Sequence, residues 1–283
     1  MTELVALIGY PLRHSVSPSF QQAAFDHYGL DIRYEKWEVE AAHLEETVAR
    51  LRQPHVLGAN VTIPYKEAVV PLLDELDGLA ARIGAVNTVV NEQGRLTGYN
   101  TDASGFINAL RRDAGFEPGN KRAVVLGAGG AGRAVCVALA REGVAYLAIA
   151  NRTQEKAERL AGDMRRDAGE VVVSILPWET LESSETVSSC DLLVNCTPVG
   201  MRYSSLEMST PLRAVSIPGH ALVCDLVYNP IETLLLREAT KAGARVLGGL
   251  SMLVYQGAAS FERWVGREAP LELMLRRARE ALG

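Results

Sequence analysis

No stretch of about 18 consecutive apolar residues occurs, so no membrane-spanning helix is expected. Positive charge is not in excess. Lys and Arg total 29 against 34 Asp and Glu, a formal net charge of −5. That balance lacks the basic face that non-specific nucleic-acid binding needs. Cysteine is sparse: Cys136, Cys190, Cys196 and Cys224. None forms a CxxC pair, all lie in apolar surroundings, and the five histidines are scattered, so no metal site is expected. Reduced, buried thiols in a cytoplasmic protein are the expected state. The start, Met1-Thr2-Glu3-Leu4, lacks a basic segment and a long apolar one, so no secretory signal is expected. Internal repeats and low-complexity tracts are also absent.

What is present is ordinary for a globular protein: 48% hydrophobic and 22% charged residues. At 283 residues the chain is near the size at which one core divides into two. Leu4 to Gly9 reads as a buried strand, followed by a polar loop and a helix opened by Pro18. Strands are expected over 32–39 and 56–62, and an amphipathic helix over 42–51 with Leu44, Val48 and Leu51 on one face. Residues 85–90 and 96–99 read as a hairpin about Glu92-Gln93-Gly94. Asp102 is placed to cap the helix after it, to about Ala114. Beyond the polar loop 115–121 the pattern becomes regular β-α alternation, with strands near 123–126, 146–150, 171–174, 192–195, 222–226 and 244–247. Short apolar strands separated by helices imply a parallel sheet covered on both faces. Two more helices, 251–264 and 270–282, follow.

The segment Gly58-Ala59-Asn60-Val61-Thr62-Ile63-Pro64-Tyr65-Lys66 is the most informative. It runs as a buried strand, is broken by proline, and then presents a cation. Proline ends a strand and suits a helix start. Asn60, Thr62 and Lys66 would gather where a strand delivers residues to a ligand. Asn100-Thr101-Asp102 ends another apolar run and supplies a carboxylate. A lysine and an aspartate can share proton-transfer work. The plain alternative is a surface lysine near a helix start. Ser15 and Ser17, with Asn60, Thr62, Lys66, Asn87 and Asp102, make a hydroxyl- and amide-rich set suited to a small polyol with a carboxylate.

Gly127-Ala128-Gly129-Gly130-Ala131-Gly132 lies between a strand and a helix. There, glycines allow a tight turn, close approach to a pyrophosphate, and helix–strand contact, while the helix start offers free N–H groups. Small-residue packing is the alternative. The next strand ends in Asn151-Arg152-Thr153, with Lys156 one turn on, where an NAD site usually carries an acid. A guanidinium there favours the 2′-phosphate of NADP; the alternative is a solvated helix face. Thr197, in Cys196-Thr197-Pro198-Val199-Gly200-Met201, lies where the nicotinamide should arrive, and Gln256 can stand at the seam between domains.

These motifs occur together and in order: HSVSP, GANVTIPYK, IGAVNT, NTDASGF, GAGGAG, NRT, NCTPVGM, DLVYNP and GGLSMLVYQ. The chain thereby resembles the shikimate dehydrogenase family over essentially its whole length. With the β-α alternation, the resemblance implies an α/β chain of two domains. An N-terminal α/β substrate domain would take residues 1–101 plus 251–283. A Rossmann-type, doubly wound parallel-sheet NADP domain would take 102–250. The C-terminal helices would return to the first domain. The implied reaction is reversible, NADPH-dependent reduction of 3-dehydroshikimate to shikimate. Lys66 and Asp102 would be the catalytic pair, with the formal acid left open. Ser15 and Ser17 would hold the substrate carboxylate, helped by Thr62 and Tyr228. Asn60, Lys66, Asn87, Asp102 and Gln256 would bind ring hydroxyls. The glycine loop, Asn151, Arg152, Thr153 and Lys156 would hold NADP, with Leu226, Gly249 and Met252 near the nicotinamide. Phe20-Gln21-Gln22 departs from the family's Ile-His-Asn, and a packing change is expected there. A quinate/shikimate dehydrogenase using NAD or both cofactors, and a non-catalytic NADP-binding regulator, are the rival readings. Closure of the two domains about the segments near Asp102 and Gly249 is expected, in a monomer or a homodimer.

Overall fold

The computed structural model of the chain describes residues 2–167 and 169–283. Met1, where the first domain was expected to begin, and Ala168 lie outside them. The chain divides into two compact units, Met1–Gly105 with Leu253–Gly283, and Phe106–Met252.

The first unit opens with β1 (Glu3–Gly9), α1 (Ser17–His27), β2 (Ile32–Glu38), α2 (Leu44–Arg50) and β3 (Val56–Val61). It continues with β4 (Glu75–Leu76), α3 (Gly78–Ile83), β5 (Thr88–Glu92), β6 (Arg95–Tyr99) and α4 (Asp102–Asn108). The strands form one sheet in the order β2-β1-β3-β5-β6-β4. β1 runs parallel to β2 and β3, and β5 antiparallel to β3 and β6. β1 is buried from Leu4 to Gly9, as an unbroken apolar run covered on both faces should be. Leu44, Val48 and Leu51 do share a buried face against this sheet.

The second unit alternates β7 (Arg122–Leu126), α5 (Gly130–Arg141), β8 (Tyr146–Ala150), α6 (Gln154–Asp167) and β9 (Val172–Ile175). Then come α7 (Glu185–Ser188), β10 (Leu192–Asn195), β11 (Leu222–Asp225), α8 (Leu234–Lys241) and β12 (Arg245–Gly248). Its sheet order is β12-β11-β10-β7-β8-β9, and every pair is parallel. This is the Rossmann order, and its direction reverses between β7 and β10, the switch point where such sheets receive ligands. The chain then returns to the first unit through α9 (Leu250–Val265) and α10 (Leu271–Glu280). Phe261 of α9 stacks on Phe25 of α1 at 5.4 Å between ring centres.

One local preference goes unused and three local expectations need correction. No α-helix follows Pro64; the chain turns and reaches only a 3-10 turn at Val70–Leu72, and the Ile63–Pro64 peptide is cis. Residues 85–87 are not part of the hairpin strand, because Val86 N donates to Lys66 O at 2.7 Å and draws the chain to that loop. Asp102 does not cap its helix. Asn100 Oδ1 does, accepting from Asp102 N at 3.1 Å and Ala103 N at 3.4 Å. Past Asn108 that helix widens into a π-turn over Ala109–Asp113. β4 and α3 have no counterpart in the sequence reading. Phe20-Gln21-Gln22 does act in packing: Phe20 and Gln21 are fully buried, and Gln21 Nε2 donates to Gly257 O at 2.8 Å. Gln22 ties α1 to β2 through Ile32 O and Tyr34 N.

Candidate active site

Parallel pairing of β1 with β3, and antiparallel pairing of β3 with β5 and β5 with β6, bring four chain turns to one sheet edge. Ser15 and Ser17 lie on the loop leaving β1, and Thr62 and Lys66 on the loop leaving β3. Asn87 precedes β5 and Asp102 follows β6. Thr62 N bonds to Ile8 O at 2.9 Å, which fixes the second loop beside the first. Ser17 is buried, and its N–H reaches toward Ser15 Oγ at 3.4 Å.

At this edge Lys66 Nζ donates to Asp102 Oδ2. The side chains are 15% and 5% exposed, so the pair stands at the border of the interior, with the lysine the more open. Asn87 is the hub. Its Nδ2 lies 3.0 Å from Asp102 Oδ1, 2.9 Å from Gln256 Oε1 and 2.8 Å from Thr101 Oγ1. Its Oδ1 accepts from Thr101 N at 2.8 Å and from Thr88 Oγ1 at 3.1 Å. Gln256 Nε2 is held by Leu253 O at 2.6 Å. Lys66, Asn87, Asp102 and Gln256 therefore form one bonded cluster. A carboxylate that accepts from a cation and an amide is held in place, and the cation remains the edge group able to donate to an arriving oxygen.

Asn60 lies beneath this cluster. It is buried, and its Nδ2 donates to Asn87 O and Ser260 Oγ, both at 3.1 Å, while Oδ1 accepts from Tyr34 Oη at 2.7 Å. Its amide hydrogens are spent inside the protein, so it supports Asn87 from below. Ser260, fully buried on α9, closes the layer: it reaches Thr88 Oγ1 at 2.7 Å, Thr101 Oγ1 at 3.1 Å and Gln256 O at 2.9 Å. Sequence reading missed Tyr34, Thr88, Thr101 and Ser260 as supports. Thr88 and Thr101 stood inside the motifs IGAVNT and NTDASGF, beside Asn87 and Asp102, whereas Tyr34 and Ser260 left no local signal.

The second unit holds the glycine loop. Gly127 N donates to Ala150 O at 2.7 Å, fixing the turn at the end of β7. A Cβ on Gly132 would stand 2.0 Å from Gly127 O, so only glycine lets α5 start this close. Nothing lies within 4 Å of a Cβ position on Gly129, and no side chain caps α5. An open backbone at an uncapped helix start is a cradle for an anion. Asn151 Oδ1 accepts from Ala128 N at 3.1 Å and joins the loop to the end of β8. A cavity of about 370 Å³ opens there, lined by Asn151, Arg152, Thr153, Leu176, Pro177 and Trp178 among others. Glu155 and Glu179 also border it; Lys156 does not and is exposed on α6. The set fits a dinucleotide: glycine cradle, helix start, a largely polar cavity beside them and Arg152 in place of an acid. Ala131 sits in the first turn of α5.

Thr197 follows β10, where Thr197 Oγ1 donates to Asn195 Oδ1 at 2.6 Å. Leu226 N donates to Asn195 O at 2.9 Å, and a Cβ on Gly249 would meet Leu226 O at 2.3 Å. Those residues share the switch-point edge. Met252 is buried on α9, and Tyr228 is half-buried after β11.

Three family models match the chain: the shikimate dehydrogenase substrate binding domain over residues 7–89, shikimate / quinate 5-dehydrogenase over 112–200, and the shikimate 5'-dehydrogenase C-terminal domain over 249–279. The chain is 48% identical over 282 residues to a shikimate dehydrogenase (NADP(+)) of Moorella thermoacetica, covering 100% of this chain and 94% of that protein. The crystal structure of a Thermus thermophilus shikimate 5-dehydrogenase in complex with NADP(H) and shikimate matches with a TM-score of 0.86 and 38% identity, over 99% of this chain and 100% of the other. A Corynebacterium glutamicum quinate dehydrogenase in complex with NAD matches with a TM-score of 0.88 and 32% identity, over 99% of each chain. Full-length identity of this order, joined to the bonded cluster and the Rossmann strand order, places the chain in the shikimate dehydrogenase family.

Proposed function

We propose that the chain is an NADP-dependent shikimate dehydrogenase, interconverting 3-dehydroshikimate and shikimate. The observation that carries this is the Lys66–Asp102 pair, tied by Asn87 to Gln256 in a family member whose β8 is followed by Asn151-Arg152 rather than an acid. NADPH, when bound, supplies the hydride that converts the ketone carbon to a carbinol carbon. Lys66 Nζ donates a hydrogen bond to the ketone oxygen and stabilises the negative charge that develops there. The proton that completes the hydroxyl comes from the Lys66–Asp102 pair. In the oxidative direction the same pair takes that proton back. Asn87 and Gln256 orient the neighbouring hydroxyls, and Ser15, Ser17 and Thr62 hold the carboxylate. The glycine loop takes the pyrophosphate, and Arg152 the 2′-phosphate. The enzyme works in the cytoplasm as a monomer or a homodimer. Among the described residues no helix is long and apolar enough to cross a membrane.

The similarity to an NAD-bound quinate dehydrogenase makes quinate the competing substrate. Initial rates with shikimate and with quinate, each with NADP and with NAD, separate the readings. Turnover of shikimate with NADP, at a kcat/KM well above the other three combinations, is expected. Equal use of quinate or of NAD would overturn the assignment.

A further inference from the structure

The switch-point edge of the second sheet holds a carboxylate that the reaction above does not use. Asp225 ends β11 and is 0% exposed. Its Oδ1 accepts from Asn195 Nδ2 at 2.9 Å and from Val227 N at 3.0 Å. Its Oδ2 accepts from Thr233 Oγ1 at 2.6 Å. Three donors satisfy the group, yet a neutral pair would hold two strand ends together as well. The arrangement needs another reason.

Direction supplies it. A carboxylate only accepts, so it admits one orientation of the Asn195 amide, with NH2 toward Asp225 and Oδ1 away. The outward Oδ1 accepts from Thr197 Oγ1 at 2.6 Å and from Thr197 N at 3.1 Å. Thr197 Oγ1 has then given its proton, and accepts from Val199 N at 3.2 Å. Asn195 Nδ2 also reaches Val199 O at 3.3 Å. One polarity thus passes from the buried carboxylate through Asn195 to the turn Thr197–Val199. That turn packs on the glycine loop: a Cβ on Gly127 would stand 3.1 Å from Thr197 Cγ2. On its other side Asp225 is followed by Leu226, against which Gly249 is packed without room for a side chain.

We propose that Asp225 is a positioning residue for the dinucleotide: by fixing the orientation of Asn195 it holds the Thr197–Val199 turn in the form that receives the nicotinamide end. This rests on the NADP reading above. Asn at position 225 can keep an oxygen toward Asn195 and Val227, and Thr233 can turn its hydroxyl to accept instead. Alanine cannot orient Asn195 at all.

The test is the dissociation constant for NADP of the full-length protein, measured by calorimetry and independent of turnover, together with steady-state KM and kcat. Asp225→Ala should weaken NADP by about tenfold, the equivalent of one net hydrogen bond, with the KM for shikimate unmoved. Asp225→Asn should restore affinity to near wild type. Thr197→Val, which leaves the buried carboxylate untouched, should reproduce the loss and decides the matter if Asp225→Ala does not fold. Thr233→Val, on the side of Asp225 away from Asn195, should lower thermal stability without changing NADP affinity. Wild-type affinity in both Asp225→Ala and Thr197→Val overturns the inference, as does an Asp225→Asn protein as weak as the alanine variant. A wild type that binds NADP without oxidising shikimate would sink the functional reading alone, because affinity is the readout here. A wild type that binds no NADP sinks both.

Discussion

Removing the amine of Lys66 leaves Asp102 with Asn87 as its remaining bonded partner and takes away the edge donor. Lys66→Ala should therefore lower kcat by about 10²-fold or more while the dissociation constant of shikimate changes much less, since proton transfer is lost and most binding groups remain. Steady-state kinetics with equilibrium binding checks this, and an unchanged kcat would end the catalytic role. The layer beneath behaves differently. Ser260→Ala removes partners from Asn60, Thr88, Thr101 and Gln256 at once. Leaving buried polar groups unsatisfied costs about 1–3 kcal/mol, so the urea midpoint should fall by that equivalent. Loss of kcat with no loss of stability would instead place Ser260 in the chemistry. Lys66, Asn87, Asp102 and Gln256 were legible because each stands in a recognisable motif. Ser260 was not, since its partners lie 159 and 172 residues away along the chain. A local pattern contains no trace of such a pairing, and a buried serine reads like any helix residue.

Elements were legible where an apolar run or a helical period marks them. Each strand of the second sheet is a short apolar run between turns, and the parallel sheet followed from their alternation with helices. β4, two residues long, and the six-residue α3 carry too little periodicity to register, although Asp77 caps α3 through Leu79 N and Ala80 N. Pro64 suits a helix start but opens none, because Lys66 O is engaged by Val86 N, a tertiary bond that overrides a local preference. β11 carries a prediction of its own. Burial, opposed by Thr233, Val227 and Asn195, pushes the Asp225 carboxyl up to about 6 from 3.8. A group that holds its proton more tightly when folded adds stability that is complete below its unfolded value and lost as pH rises through its folded one. Between about pH 4 and pH 6 the wild type should therefore lose stability relative to Asp225→Asn, which carries no titrating group there. The gap between the two urea midpoints should widen from pH 4.5 to pH 7.5 in favour of the asparagine variant. A constant gap would mean that burial does not shift the carboxyl.

At the scale of the whole molecule, the two units have separate apolar cores, and the residues proposed to bind ligands divide between them. Lys66, Asn87, Asp102 and Gln256 belong to the first; the glycine loop, Arg152 and Thr197 to the second. A ligand that binds only the native state stabilises by about 2.7 kcal/mol at a hundredfold excess over its dissociation constant. For units of this size that is a rise of several degrees in the unfolding temperature. Protection should then divide by unit. Lys66→Ala should keep the full shift caused by NADP. Arg152→Ala should keep the shift caused by shikimate and lose most of the shift caused by NADP at the same concentration, because a guanidinium is the group suited to a 2′-phosphate. Its shift with NAD, which has no such phosphate, should match the wild type. Calorimetric scans of the three proteins with each ligand alone read this directly. If Arg152→Ala were protected by NADP as well as the wild type is, the phosphate would be held elsewhere, and the absence of an acid at the end of β8 would no longer explain cofactor choice.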